Sequence, residues 1–224
     1  MFIGHFAPAF VAAAAYSRGP RLATYFVAAQ LVDWAFFSLA LIGVEKMRIV
    51  PGATEMNPLD LYHMPYTHSL VGTAVFAIVF GIVVSIWRRS NLGGFVAALV
   101  VCSHWALDWA VHSPDLTIAG NGRHYGLGLW DRPEIAMPLE LGLTLAAFVF
   151  YIKRSRGPLG QPLVLLAALL ALQAINWFGP EPAEANAWLY LQALAAFAVV
   201  TGLAAWTAKN RFFVRRGGLA ASAL

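Results

Sequence analysis

The residues with the clearest capacity for chemistry lie in one apolar stretch, residues 92–112. His104, Asp108 and His112 are spaced four apart there, and residues at that spacing are offset by only about 40° around a helix axis, so they form one stripe. An aspartate at mid-depth in a bilayer costs roughly 2.5 kcal/mol or more. The usual reasons for such residues are a metal ion, a proton path or a buried partner.

The composition is that of a membrane protein. The 224 residues are 60% hydrophobic and 12% charged, with a mean hydropathy of +0.66, which is too apolar for a soluble domain of this length. We expect one membrane-embedded domain over residues 1–224. The formal net charge of +4 is small and lies in short loops, which indicates contact with anionic membrane lipids and no nucleic-acid partner. The single cysteine, Cys102, excludes an internal disulfide and a cysteine-rich metal site.

Apolar segments alternate with polar loops along the whole chain. This predicts an all-α polytopic membrane protein of about seven helices, most of them near the ~20 residues needed to cross ~30 Å of hydrocarbon. The first segment is short, and the fifth and sixth are at the short end. The segments cover residues 4–16, 22–44, 67–87, 92–112, 135–152, 162–178 and 187–207.

The loops between these segments predict the orientation. Every second loop is basic and the others are neutral to acidic, so the positive-inside rule places the N-terminus outside and the C-terminus in the cytoplasm. The basic set consists of Arg18, Arg21, Arg88, Arg89, Lys153, Arg154, Arg156, Lys209, Arg211, Arg215 and Arg216.

The histidines gather on the predicted outer side of the membrane. Asp33 lies midway along the second segment, and the outer loops 45–66 and 113–134 are rich in Pro and Gly and long enough to cover a site. Taken singly, a histidine at a helix end is typical of an interfacial or capping residue, and Asp115 after Pro114 is expected to be solvated. A His104–Asp108 pair can also be a buried hydrogen bond that holds helices in register. The six histidines are His5, His63, His68, His104, His112 and His124.

As a set, these side chains are typical of a metal site. Neutral imidazoles and carboxylates suit one or two Zn²⁺ ions, or another divalent metal, with an open position for water. A nucleophilic serine paired with a histidine is not indicated. Ser69 directly follows His68 and Ser103 directly precedes His104, and adjacent side chains on a helix point about 100° apart.

The motifs resemble those of the YdjM-like family, bacterial inner-membrane proteins to which metal-dependent hydrolysis is ascribed. The family pattern is an N-terminal Gly-His, Pro-Asp-x-Asp, His-Arg-Gly-x-Thr-His-Ser, then Ser-His…Asp and a Gly-containing turn. This chain has Gly4-His5, residues 31–34 (LVDW), residues 63–69 (HMPYTHS), Ser103-His104 with Asp108, and residues 126–130 (GLGLW). It therefore keeps one carboxylate of the second motif and has Met-Pro where the family has Arg-Gly.

The resemblance covers residues 4–132 and implies the roles of individual residues there, with residues 133–224 as supporting helices. Core ligands would be His68, His104 and Asp108, and an unligated carboxylate such as Asp33 could act as general base, which makes Asp33, His68 and Asp108 the candidate catalytic residues. A looser likeness exists to seven-helix ceramidase and receptor-type membrane hydrolases, which also build a zinc site from Ser, His and Asp residues. The full implied ligand set is His5, Asp33, His63, His68, His104 and Asp108.

These expectations combine into one functional hypothesis with two rivals. The hypothesis is a multi-pass metal-dependent hydrolase of the bacterial inner membrane. Its substrate would be a lipid-like or amphiphilic ester, amide or phosphoester that reaches the site from the outer leaflet. The first rival is a transporter or proton-coupled carrier with Asp33 in a relay, although the histidines gather on one side and do not cross the membrane. The second is a non-catalytic membrane subunit whose polar cluster holds the helices together.

Overall fold

Helices account for nearly all the regular structure of this protein. The computed structural model describes residues 1–213, so Arg215 and Arg216 of the predicted basic tail lie outside the described residues. Short 3-10 turns occur at Ile3–His5 and Leu129–Asp131. The α-helices within the described range are α1 (Phe6–Ala15), α2 (Leu22–Ala29), α3 (Leu31–Leu41), α4 (Leu70–Arg88), α5 (Asn91–Val111), α6 (Pro133–Arg154), α7 (Gly160–Phe178) and α8 (Ala187–Lys209).

The long helices match the dimensions of a bilayer. Each helix from α4 to α8 is long and apolar enough to cross a membrane, and α2 with α3 makes a sixth span if the bent pair is counted as one. The helix α1 is too short to span, as its sequence predicts. The predicted all-α polytopic membrane fold is therefore confirmed.

The second predicted segment is not one straight helix. The axes of α2 and α3 are bent by 53° at Gln30, although no Pro or Gly in residues 22–41 marks a break. A helix leaves its last four carbonyl groups without partners, and one of these, at Ala29, is used by a side chain of α5. The break also starts a new helix with Asp33 in its first turn, where the partial positive charge of the helix N-terminus favours a carboxylate.

Two other helix boundaries differ from the predicted segments. The helix α6 has 22 residues rather than the short span expected, because it begins at Pro133, a residue favoured in the first helical turn, and continues to Arg154. The helix α4 begins at Leu70 because Ser69 is its N-cap, accepting a hydrogen bond of 3.0 Å from the Gly72 amide. Residues 67 and 68 therefore lie in the turn before α4.

The short helix α1 lies at the centre of the bundle and packs against α2, α5 and α6. Its Phe6 ring stacks on Phe26 of α2 with ring centres 4.5 Å apart, and Phe10 meets Phe26 and Phe148 edge to face. Buried aromatic pairs of this kind add about 1 kcal/mol each beyond the area they bury. This apolar packing closes the middle of the bundle.

The long loops form small hairpins at the end of the bundle where α5 finishes. Strand β1 (Lys46–Ile49) pairs with β2 (Leu59–His63), and β3 (Leu116–Thr117) pairs with β4 (His124–Tyr125). Side chains from both hairpins form a second apolar core with Phe36 of α3. At the other end of α6, β5 (Ser155–Arg156) pairs with β6 (Phe212–Phe213). The polar residues described next lie beside the second core.

Candidate metal centre

Five of the six sequence-predicted ligands come together in one buried cluster. They come from the 3-10 turn before α1, the first turn of α3, the turn before α4, and α5, and each is buried except Asp33, which is 19% exposed. Two overlapping triplets have donor atoms within 4.8 Å of one another: His5, His104 and Asp108, and Asp33, His68 and His104. A buried His/Asp cluster that could hold a metal ion is thus present.

The spacing of the donor atoms fits a metal ion on one side of this cluster. His104 Nε2 lies 3.0 Å from Asp108 Oδ2 and 3.5 Å from Asp33 Oδ1. His68 Nε2 lies 3.3 Å from the same Asp33 oxygen and 3.8 Å from Asp108 Oδ2. Ligands about 2.0–2.1 Å from a tetrahedral zinc are about 3.3 Å apart, so these separations suit such an ion.

The second oxygen of Asp108 faces a different group of nitrogens. Its Oδ1 lies 3.0 Å from His5 Nε2, 3.4 Å from His112 Nε2 and 3.1 Å from the amino nitrogen of Met1. The Asp108 carboxylate is therefore shared between two sets of nitrogen donors, one on each oxygen.

Hydrogen bonds at the far side of the rings fix two of these histidines. His104 Nδ1 is 2.8 Å from the carbonyl oxygen of Ala29, and His112 Nδ1 is 2.9 Å from Asp115 Oδ1. Both partners can only accept a hydrogen bond, so each Nδ1 carries the proton. Each Nε2 is then the nitrogen left to bind an ion, as in most metal-binding histidines.

A relay of two side chains, Thr67 and Glu45, fixes the His68 ring in the same way. The Thr67 hydroxyl donates to Glu45 Oε2 at 2.5 Å and therefore accepts from His68 Nδ1 at 2.9 Å. Glu45 is itself buried and accepts hydrogen bonds from the backbone amides of Tyr66 and Thr67. The Trp105 indole donates to the His68 carbonyl oxygen at 3.2 Å. Both the ring and the backbone of His68 are thus held in place.

The fixed orientation of the rings directs imidazole lone pairs at carboxylate oxygens in the centre of the cluster. With Nδ1 protonated, a neutral imidazole presents an Nε2 lone pair to the carboxylate oxygens, which is repulsive unless a proton or a cation lies between them. His104 Nε2 is buried and makes no hydrogen bond within residues 1–213. Protonating every ring would crowd positive charge, since the His68 ring centre lies 5.7 Å from that of His104 and 6.0 Å from that of His112. Divalent cations bound between these nitrogens and the two carboxylates would remove this repulsion.

His112 and Asp115 belong to the cluster, contrary to the sequence-based expectation of an interfacial histidine and a solvated loop carboxylate. His112 is 3% exposed, and its ring packs on Trp130 with centres 4.1 Å apart. Burial by itself lowers the pKa of His112, but Asp108 and Asp115 on either side of the ring outweigh burial and raise that pKa above its ordinary value. The four-residue spacing from Asp108 was the signal for His112.

His63 does not join the cluster, contrary to the ligand set that the resemblance implies. It is exposed at the end of β2, where it pairs in register with Lys46 of β1. In this strand Leu61 is the buried residue that contributes to the second core, and Tyr62 and His63 remain on the exposed rim of the hairpin. His124 is exposed in β4.

Glu140 and Gln173 are polar residues of the supporting helices that the sequence analysis missed. Glu140 Oε1 accepts hydrogen bonds from the backbone amides of Phe2 at 2.6 Å and Gly4 at 3.0 Å, and Gln173 Oε1 accepts one from the Ile3 amide at 3.3 Å. Gln173 also donates to Glu140 Oε2 at 3.3 Å. These bonds hold the turn that carries His5, and a single glutamate in an apolar segment was the available signal for them.

A cavity of about 670 Å³ reaches the cluster. Asp33, His68, Asp108 and His112 of the cluster line the cavity, and most of its wall is apolar. The apolar wall includes Phe36, Phe37, Met47, Leu61, Leu172, Trp177, Leu189 and Phe197. The cavity can accommodate a molecule with a polar group at the cluster and a hydrophobic portion against α3, α7 and α8.

Comparisons of the chain with protein-family models, with curated proteins and with solved structures find no match. The resemblance to the YdjM-like family therefore stays a prediction, carried by the motif residues alone.

Proposed function

We propose that this membrane protein is a metal-dependent hydrolase, with zinc as the best-suited ion and an amphiphile as the substrate. The observation that carries the proposal is the arrangement of His68, His104 and His112: each Nδ1 is held by an acceptor and each Nε2 is directed at a buried carboxylate. The fixed tautomers and the shared carboxylate are features that metal ligands need.

The ion would be held chiefly by His68, His104 and Asp108. When bound, a divalent ion activates water at neutral pH and polarises a carbonyl or phosphoryl oxygen. Asp33 is the more exposed of the two carboxylates and lines the cavity, which supports assigning it the role of general base toward the attacking water. Asp108 is 2% exposed and serves to hold the nitrogens around it.

The cavity supports an amphiphilic substrate. Residues of the cluster line it, and its aromatic and aliphatic wall on α3, α7 and α8 favours a hydrophobic chain. The cleavable group would be an ester, amide or phosphoester next to that chain. If the predicted orientation holds, such a substrate reaches the site from the outer leaflet.

The packing below the cluster favours a hydrolase over a transporter. Phe6, Phe10 and Phe26 are fully buried there and fill the centre of the bundle with apolar rings. A proton or ion relay across the membrane needs polar groups along its whole path, whereas this cluster is confined to one end.

The test is hydrolysis by the purified protein in lipid nanodiscs, with an ester, an amide and a phosphoester on the same alkyl chain. We expect turnover of one of them with Zn²⁺, its loss with a chelator, and recovery on adding Zn²⁺ back. Asp33→Asn should lower the rate about 100-fold or more while metal stays bound, and His124→Gln is the matched control with an unchanged rate. No turnover of any of the three with metal bound would support the non-catalytic rival.

A further inference from the structure

The Asp108 carboxylate has two oxygens, and the histidines divide between them. Nε2 of His104 and of His68 lie 3.0 Å and 3.8 Å from Oδ2. Nε2 of His5 and of His112 lie 3.0 Å and 3.4 Å from Oδ1. Each oxygen thus has its own pair of imidazole nitrogens, and a carboxylate in that position can bridge two ions.

The stacking of His5 on His104 favours two separate ions over a single ion shared by all four rings. The two rings are nearly parallel, with an interplanar angle of 7° and ring centres 3.9 Å apart. The Nε2 atoms of His5 and His104 each lie 3.0 Å from a different oxygen of Asp108, so each ring approaches its own oxygen. Metal ions in two-metal hydrolytic sites are about 3.5–4 Å apart, which matches the separation of the rings.

We propose that this protein binds two divalent cations bridged by Asp108. The first ion is held by Asp108 Oδ2, His68 and His104, with Asp33 beside it, and the second by Asp108 Oδ1, His5 and His112. This inference rests on the proposed metal-dependent function, and it adds the number of ions and the ligands of each. The second ion then has three protein ligands and an open position, the arrangement of catalytic rather than structural zinc sites, and the first has Asp33 as an additional neighbour.

The two ions should differ in affinity. His68 and His104 both have a hydrogen-bonded Nδ1, whereas His5 Nδ1 is buried and makes no hydrogen bond within residues 1–213. Partners of this kind typically strengthen metal binding about 10–100-fold. The ion on the Oδ1 side should therefore be the first lost on dilution or chelation.

The experiment is a measurement of zinc per chain on the full-length protein in detergent, titrated to saturation. Wild type should bind two Zn²⁺ ions, and His5→Gln and His112→Gln should each bind one. The matched control, His124→Gln, should bind two. If one of these two variants does not fold, the ion count of the other tests the proposal. Independently, X-ray absorption of the zinc-saturated wild type should show a metal–metal distance of about 3.5–4 Å.

Wild type saturating at one ion, or two ions without a metal–metal vector, would overturn the bridged pair. So would two ions in a folded His5→Gln or His112→Gln protein. These outcomes can be distinguished from failure of the proposed function. A protein that binds one ion and still hydrolyses a substrate would refute only the second ion. A protein that binds two bridged ions but hydrolyses no tested substrate would support the two-ion site and contradict the proposed hydrolase function.

Discussion

The imidazole of His104 donates a hydrogen bond of 2.8 Å to the carbonyl oxygen of Ala29, the last residue of α2. The break between α2 and α3 provides this acceptor, because a helix leaves its last carbonyls without partners. The bond fixes the His104 ring so that Nε2 faces Asp108 and Asp33. Since the same break places Asp33 in the first turn of α3, one interruption of a membrane span positions two groups of the centre.

Asp108→Asn and Asp115→Asn should differ in their effect on metal binding. Asp108 contacts every histidine of the cluster, so its loss should abolish binding of both proposed ions. Asp115 holds only the Nδ1 of His112, so Asp115→Asn should weaken the ion on the Oδ1 side about 10-fold and leave the other unchanged. The measurement is zinc affinity by competition with a chromophoric chelator.

Folding of the Asp108→Asn protein should be retained, because a neutral amide is easier to bury than a carboxylate. Metal binding unchanged in both variants would favour a purely structural cluster that holds the helices together. Equal loss in both would show that Asp115 ligates an ion directly.

Thr67→Val should weaken zinc binding without removing a ligand. Valine has nearly the shape of threonine but cannot accept the hydrogen bond from His68 Nδ1, and it leaves Glu45 Oε2 without its donor. We expect about a 10–100-fold loss of affinity for the ion bound by His68. Thr201→Val is the control, since the Thr201 hydroxyl is buried and makes no hydrogen bond within the described residues; equal affinities in the two variants would contradict the relay.

Glu140→Ala should destabilise the fold and loosen His5. The substitution leaves the backbone amides of Phe2 and Gly4 without their acceptor, and losing hydrogen bonds to a buried charged group costs about 3 kcal/mol. Thermal unfolding in detergent should therefore occur at a lower temperature, and the ion bound by His5 should weaken. Glu134→Ala, on the exposed face at the start of the same helix, should change neither quantity; an unaltered Glu140→Ala protein would show that the turn is held by other contacts.

The helices of this fold could be predicted from the sequence because a membrane span needs a long apolar run. The predicted segments correspond to the helices of the structure, with ends displaced by a few residues. The bend at Gln30 could not be predicted, since no Pro or Gly marks it and the residue that bonds the free Ala29 carbonyl, His104, is distant in the sequence. Helix caps such as Ser69 are local signals, and they account for the start of α4.

The candidate ligands His104 and Asp108 could be predicted because helical spacing brings them to one face of α5. The same spacing brings His112 to that face, but its position at the end of the segment led to the expectation of an interfacial residue. Adding His5, Asp33 and His68 depended on the motif resemblance, and the same resemblance also brought in His63, which hairpin geometry places on the exposed rim. Residues that hold the ligands, such as Glu45, come from loops, where spacing carries no periodic signal. Their role is evident only once the chain is folded.

The orientation in the membrane can be tested by labelling single cysteines in intact bacterial cells. In a Cys102→Ala background, Glu55→Cys in the hairpin loop near the cluster should react with a membrane-impermeant maleimide. Lys153→Cys at the opposite end of α6 should react only after permeabilisation, because its loop belongs to the basic set. Both positions are exposed, so the reverse pattern would place the cluster on the cytoplasmic side.

The most direct test of the metal centre is an anomalous difference map at the zinc edge from crystals equilibrated with Zn²⁺. The strongest peak should lie about 2.0–2.2 Å from Nε2 of both His68 and His104 and from a carboxylate oxygen of Asp108. A zinc-saturated protein with no peak among these three side chains, or with its only peak at an exposed histidine such as His63 or His124, would contradict the account.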